Sequence, residues 1–148
     1  MLSKHLEIFL LIQLIMVFFA YSEAVLEGEE GWAKDRKCWR FKISRHHDYT
    51  SYHIITYFVV FPLAIIILPQ LLAGFSLSLA WLLFGSYLIG TILEDFMWFV
   101  LNPARPFSKW NPIDVPWYPW MKIGKISVPV AYVIKAAAGV AILIYLVK

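Results

Sequence analysis

The chain is poor in the residues that most enzyme signatures need. Of 148 residues one is cysteine, Cys38, and four are histidine: His5, His46, His47 and His53. A single thiol forms no internal disulfide and no Cys-x-x-Cys redox or zinc pair. Four histidines without HxxxH or HxxHH spacing exclude the histidine boxes of membrane desaturases and hydroxylases. The seven glycines form no phosphate-cradling loop, and Walker A, GxSxG and HExxH are absent. Arg105-Pro106 matches the first element of phosphatidic-acid-type phosphatases, but no PSGH follows it. Charge is scarce too: charged residues make up 16%, against about 25% in soluble domains. A net charge of +3 gives no basis for nucleic-acid binding.

What the chain has is hydrocarbon. Hydrophobic residues reach 61% and mean hydropathy is +0.68. That surplus leaves too little polar cover for a water-facing surface, so the expected class is an integral membrane protein with the lipid bilayer as its first partner. Residues 1–148 read as one domain. Four apolar stretches are predicted spans: 6–26, 54–75, 77–101 and 126–147. A helix needs about 20 residues to cross the hydrocarbon core. The single residue Ser76 separates spans two and three, which makes them antiparallel neighbours. The predicted fold is all-α: a polytopic four-helix up-down transmembrane bundle with two long cytoplasmic loops.

Basic residues set the direction. Loop 27–51 carries Lys34, Arg36, Lys37, Arg40, Lys42 and Arg45; loop 101–125 carries Arg105, Lys109, Lys122 and Lys125. The positive-inside rule places both loops in the cytoplasm and both termini outside, in a multi-pass cell-membrane protein. The alternative is a cleaved signal ending near Ser22-Glu23-Ala24, followed by three spans. Five prolines in loop 101–125 (Pro103, Pro106, Pro112, Pro116 and Pro119) exclude a long helix there. Trp110, Trp117, Tyr118 and Trp120 are expected on the membrane surface, as are Trp32 and Trp39 of the first loop. Pro62, Pro69 and Pro129 predict kinks within spans. Gly85, Gly90 and Ser86 on span three, and Ala136 to Gly139 on span four, suit close packing within the bundle; the alternative is a homo-oligomer.

Ionisable groups at membrane depth are costly and mark function by default. Glu94 and Asp95 lie roughly 9–11 Å from the cytoplasmic end of span three. Thr91, Glu94, Trp98 and Asn102 share one helical stripe, expected to face the bundle. Lys135, on span four, lies roughly 13 Å from the same side. The bland reading is a buried ion pair of Lys135 with Glu94 or Asp95. Antiparallel threading also brings Glu23, Glu27 and His53 to this level. The functional reading is a divalent-metal site with Glu27, His53 and Glu94 as candidate ligands. In it Glu94 and Asp95 are candidate catalytic carboxylates and Arg105 a candidate substrate-phosphate contact. The bland alternative leaves Glu23 and Glu27 solvated. The His46-His47-Asp48 run reads as a solvated turn rather than a ligand set.

The order Glu27-Gly28-x-x-Gly31-Trp32-Ala33, Trp39-Arg40, Thr50-x-Tyr52-His53 and Glu94-Asp95-Phe96-Met97-Trp98-Phe99-Val100-Leu101-Asn102-Pro103 resembles a group of small uncharacterised prokaryotic integral membrane proteins. The resemblance covers most of the chain and is most specific in the EDFxWFVLNP stretch. It implies that Glu27, His53, Glu94 and Asp95 belong to one pattern and that the first helix stays uncleaved. It implies no activity. Three functions remain open: a non-enzymatic accessory or interaction protein, which the sequence favours; a metal-dependent enzyme acting on a lipid or lipid-linked substrate at the cytoplasmic face; and an oligomeric ion or proton pathway.

Overall fold

The computed structural model describes residues 2–29, 37–44 and 47–147. Trp32, Lys34, Arg36, Arg45 and His46 lie outside the described residues, as do the side chains of His47 and Asp48. The backbone of the latter two opens a strand.

The order of elements is α1 (Leu2–Glu27), a hairpin of β1 (Arg40–Ser44) and β2 (His47–Thr50), α2 (Ser51–Ala73), α3 (Leu77–Leu101), a second hairpin of β3 (Trp120–Ile123) and β4 (Ile126–Pro129), and α4 (Val130–Tyr145). Both hairpins are antiparallel, with Arg40 opposite Thr50 and Trp120 opposite Pro129. The described chain is mostly helical, and α1, α2 and α3 are each long and apolar enough to cross a membrane.

The fourth expected span differs. Residues 126–129 pair with β3, so the helix starts only at Val130 and runs 16 residues. At about 1.5 Å per residue it is about 24 Å long, short of the roughly 30 Å hydrocarbon core. Pro129 therefore does not kink a helix; it is the residue that caps its start. Lacking an N–H and fixed near a helical φ, proline suits such a boundary. Lys135 consequently sits about 8 Å into α4 rather than 13 Å.

The prolines of α2 act by widening its turns. Two stretches, Thr56–Val60 and Pro62–Ile67, are wound so that the Phe61 N–H reaches the Thr56 carbonyl and the Leu68 N–H the Leu63 carbonyl. A proline ring in an α-helix clashes with the carbonyl four residues back, and a five-residue turn relieves that clash. Gly74, at φ 84°, ends the helix. Ser76 starts the next by accepting from the Leu79 N–H at 3.3 Å.

Helix α3 is the axis on which α1 and α4 pack. The small residues make this possible. A Cβ on Gly90 would lie 2.9 Å from Met16 Cγ on α1, and one on Gly139 would lie 2.8 Å from Ile89 Cγ1 and 3.2 Å from the Gly85 carbonyl oxygen. Close approach thus occurs within the chain. Gln13, which interrupts the apolar run 8–21 of α1, donates to the Ser86 carbonyl at 3.0 Å.

The loop after α3 folds its aromatic rings partly onto the end of the bundle. Trp110, Trp117, Tyr118 and Trp120 pack inward against Ala20, Ala24, Trp98, Phe99 and Val115. Half-burying four large rings in this way removes much of their apolar area from water. Asn102 anchors this cap: its Nδ2 donates to the Gly28 carbonyl at 2.8 Å, and its Oδ1 accepts from the Ala104 and Arg105 amides. Trp39, by contrast, remains 56% exposed.

Candidate metal centre

Glu23 and Glu27 stand one turn apart in the last turns of α1. His53 is the third residue of α2. Local chemistry sets its ring. Thr50 caps α2, its Oγ1 accepting from the His53 amide, and the same oxygen lies 2.7 Å from His53 Nδ1. In the tautomer that carries its proton on Nδ1, the ring donates to Thr50 and presents Nε2 toward α1. Nε2 indeed faces α1, at 3.9 Å from Glu27 Oε1. One ligand atom each from Glu23, Glu27 and His53 lies within 4.8 Å of the others.

Glu23, which the threading already brings to this level, stands with Glu27 and His53 where the sequence reading set Glu94 as the third ligand. It is 4% exposed. Oε2 accepts from the Tyr57 hydroxyl at 3.1 Å, whereas Oε1 is buried with no hydrogen-bond partner. Tyr57 is one turn beyond His53, and the two rings stack 6.2 Å apart. Glu94, 3% exposed, comes from α3 to face Glu23 and Tyr57. Neither Glu23 nor Glu94 is within ion-pair distance of a lysine or arginine among the described residues. Two neighbouring carboxyl groups out of water cannot both keep their charge uncompensated; they require a proton or a metal cation between them. The α1 carboxylates also sit at the negative end of that helix's dipole, a position that disfavours anions unless a cation is present.

The stripe Thr91, Glu94, Trp98 and Asn102 is buried throughout, as its spacing predicts. Asp95, one residue on, points elsewhere. It accepts from the hydroxyls of Tyr118 in the loop and Tyr132 on α4. Burial pushes the Tyr118 phenol well above its ordinary value, so it stays an O–H donor to that carboxylate. Lys135 meets neither acid directly: its Nζ donates to Thr91 Oγ1 at 3.2 Å. Arg105 is held by backbone. Its Nη1 donates to the Glu29 carbonyl at 3.1 Å and its Nη2 to the Asp114 carbonyl at 2.7 Å, with the guanidinium 5.3 Å from the Trp117 ring.

These groups surround a cleft of about 460 Å³. Glu23, Glu27, His53 and Glu94 form one side and Asp95, Tyr132 and Lys135 another; Arg105 is not part of its wall. Thr50, Tyr57, Tyr118 and Tyr132 were not singled out as site residues by the sequence. Thr50 could be found from its cap spacing to His53, and Tyr57 from its position one turn beyond it. Tyr118 and Tyr132 meet Asp95 only through tertiary packing. No known family model, curated protein or solved structure matches the chain, so the site is read from its own geometry.

Proposed function

We propose that the protein is a membrane-embedded, divalent-metal-dependent enzyme that acts on a lipid or lipid-linked substrate at the cytoplasmic headgroup level. Glu23, Glu27 and His53 hold the ion, and Glu94 completes the set or serves as a general base. The observation that carries this reading is the convergence of three ligand atoms within 4.8 Å around a buried carboxylate oxygen with no hydrogen-bond partner. Carboxylate and imidazole ligands suit zinc, manganese or iron. Such an ion polarises a phosphoryl oxygen or activates a bound water. A divalent ion would compensate the Glu23 and Glu94 carboxyls, which no lysine or arginine among the described residues pairs.

In this reading all four helices span. A bilayer thinned around α4 accommodates its shorter length, and the basic loops face the cytoplasm.

The test is metal content. The purified protein, reconstituted in lipid nanodiscs, binds one equivalent of Mn²⁺ or Zn²⁺, and His53→Ala and Glu23→Gln each abolish it. A wild-type protein that binds neither ion overturns the reading.

A further inference from the structure

The cleft does not end at the metal ligands. Its floor is a second stripe of α3: Phe84, Leu88, Thr91 and Asp95, spaced so that all four share one face. Its walls come from α2, with Phe58, and from α4, with Lys135. Helix α4 packs on α3 and not on α2 to any comparable degree, leaving a furrow between them. Phe58 and Phe84 line that furrow and are also exposed, by 67% and 37%. They lie within the spanning helices, so the furrow opens sideways into hydrocarbon rather than into water.

Lys135 stands in this furrow. An ammonium has three donors, and among the described residues it uses one, toward Thr91 Oγ1. The acids of α3 act on it from beyond ion-pair distance. A cation so placed is costly unless an anion reaches it. The metal cluster lies in the same cleft, on the side toward α1.

We infer that the furrow between α2 and α4 takes the hydrocarbon chain of a lipid phosphate from the bilayer, and that the phosphate bridges Lys135 and the ion held by Glu23, Glu27 and His53. The donors that Lys135 leaves unused beside Thr91 and the continuity of the furrow with the exposed Phe58 and Phe84 surface carry the inference. It rests on the metal reading and names its substrate class. Lys135 takes the role that the sequence assigns to Arg105, whose Nη atoms are engaged by carbonyls.

The test uses the full chain in phosphatidylcholine nanodiscs loaded with Mn²⁺. Electron paramagnetic resonance counts bound Mn²⁺, and the ³¹P relaxation of added dodecyl phosphate or inorganic phosphate reports proximity to it. Dodecyl phosphate is relaxed saturably in the wild type. Its affinity falls at least about tenfold in Lys135→Met and is kept in Lys135→Arg, with Mn²⁺ stoichiometry unchanged. Leu88→Trp fills the furrow floor and weakens dodecyl phosphate but not inorganic phosphate. Bound Mn²⁺ with dodecyl phosphate unrelaxed, or equally relaxed in Lys135→Met, overturns the inference and leaves the metal reading standing. Inorganic phosphate binding as tightly as dodecyl phosphate, or indifference to Leu88→Trp, overturns the lipid assignment. Absence of Mn²⁺ from the wild type overturns both readings.

Discussion

The Tyr57 hydroxyl donates to Glu23 Oε2 at 3.1 Å, which turns the second oxygen of that carboxyl into a buried position with no hydrogen-bond partner. A carboxylate held this way destabilises the metal-free protein and favours a bound cation. Glu23→Gln is therefore expected to leave the metal-free protein as stable as the wild type, or more so, while abolishing the thermal shift on adding metal. For the wild type at an ion concentration a hundred times Kd, that shift corresponds to about 2.7 kcal/mol. Thermal unfolding followed by tryptophan fluorescence, with and without Mn²⁺, measures both effects. A metal-induced shift of wild-type size in Glu23→Gln contradicts the assignment.

Thr50 acts on the centre through His53. Its Oγ1 lies 2.7 Å from Nδ1, so it fixes which ring nitrogen faces Glu27. Removing such an orienting partner typically weakens metal affinity by about 10–100-fold. Thr50→Val is expected to fall in that range and Thr50→Ser to stay near the wild type. Isothermal titration with Mn²⁺ distinguishes them, because loss of the helix cap alone lowers stability and leaves affinity nearly constant.

Two glycines test the packing of α3 from opposite partners. Gly139→Ala sets a methyl 3.2 Å from a backbone carbonyl, which does not move easily, whereas Gly90→Ala meets the flexible Met16 side chain. The first is expected to cost about 1–3 kcal/mol, as overpacking does, and the second less. Denaturation in mixed micelles ranks them; the reverse order would contradict the close α3–α4 approach.

Asn102 joins the end of α1 to the start of the capping loop through Gly28, Ala104 and Arg105. Asn102→Ala leaves several backbone groups unpaired, each worth about 1–3 kcal/mol when buried. Hydrogen exchange is expected to rise in residues 103–119 and to change little in the middle of α1. Uniform exchange changes across both segments would refute this local role.

Asp114 supplies a pH signature outside the spans. Hydrogen bonds from Asn111 Nδ2 at 2.7 Å and from Lys109 Nζ at 3.1 Å hold its carboxyl below the ordinary value of 3.8. Its stabilising contribution is complete above that ordinary value and is lost as pH falls through the lower folded value. The Asn111 side-chain amide resonance is expected to titrate with a midpoint below 3.8, and Asp114→Asn removes the titration. A midpoint above 3.8 would show that these bonds do not persist in solution.

Much of the architecture follows from local pattern. A stretch of twenty-odd mostly apolar residues makes a membrane-length helix whatever it packs against, so α1, α2 and α3 were readable. The inward stripe of Thr91, Glu94, Trp98 and Asn102 follows from helical period alone. The divergence of Glu94 and Asp95 has the same origin, since neighbours on a helix point about 100° apart. Other features depended on distant partners. Residues 126–129 are apolar enough to extend a helix, but β3 offers them backbone hydrogen bonds instead. That the loop aromatics pack on Ala20 and Ala24 across the bundle depends on tertiary contacts that the loop's own residues do not specify.

The composition and periodicity determined the solvent, the helices and the level at which polar residues gather, because each depends on the residues of one segment. That Glu23 rather than Glu94 stands with Glu27 and His53, and what Lys135 faces, the tertiary structure alone decided. Those outcomes depend on rotation of α1 and α4 about α3, set where Gly90 and Gly139 let other side chains in. The same packing sets Lys135 beside Thr91 rather than in an ion pair with Asp95.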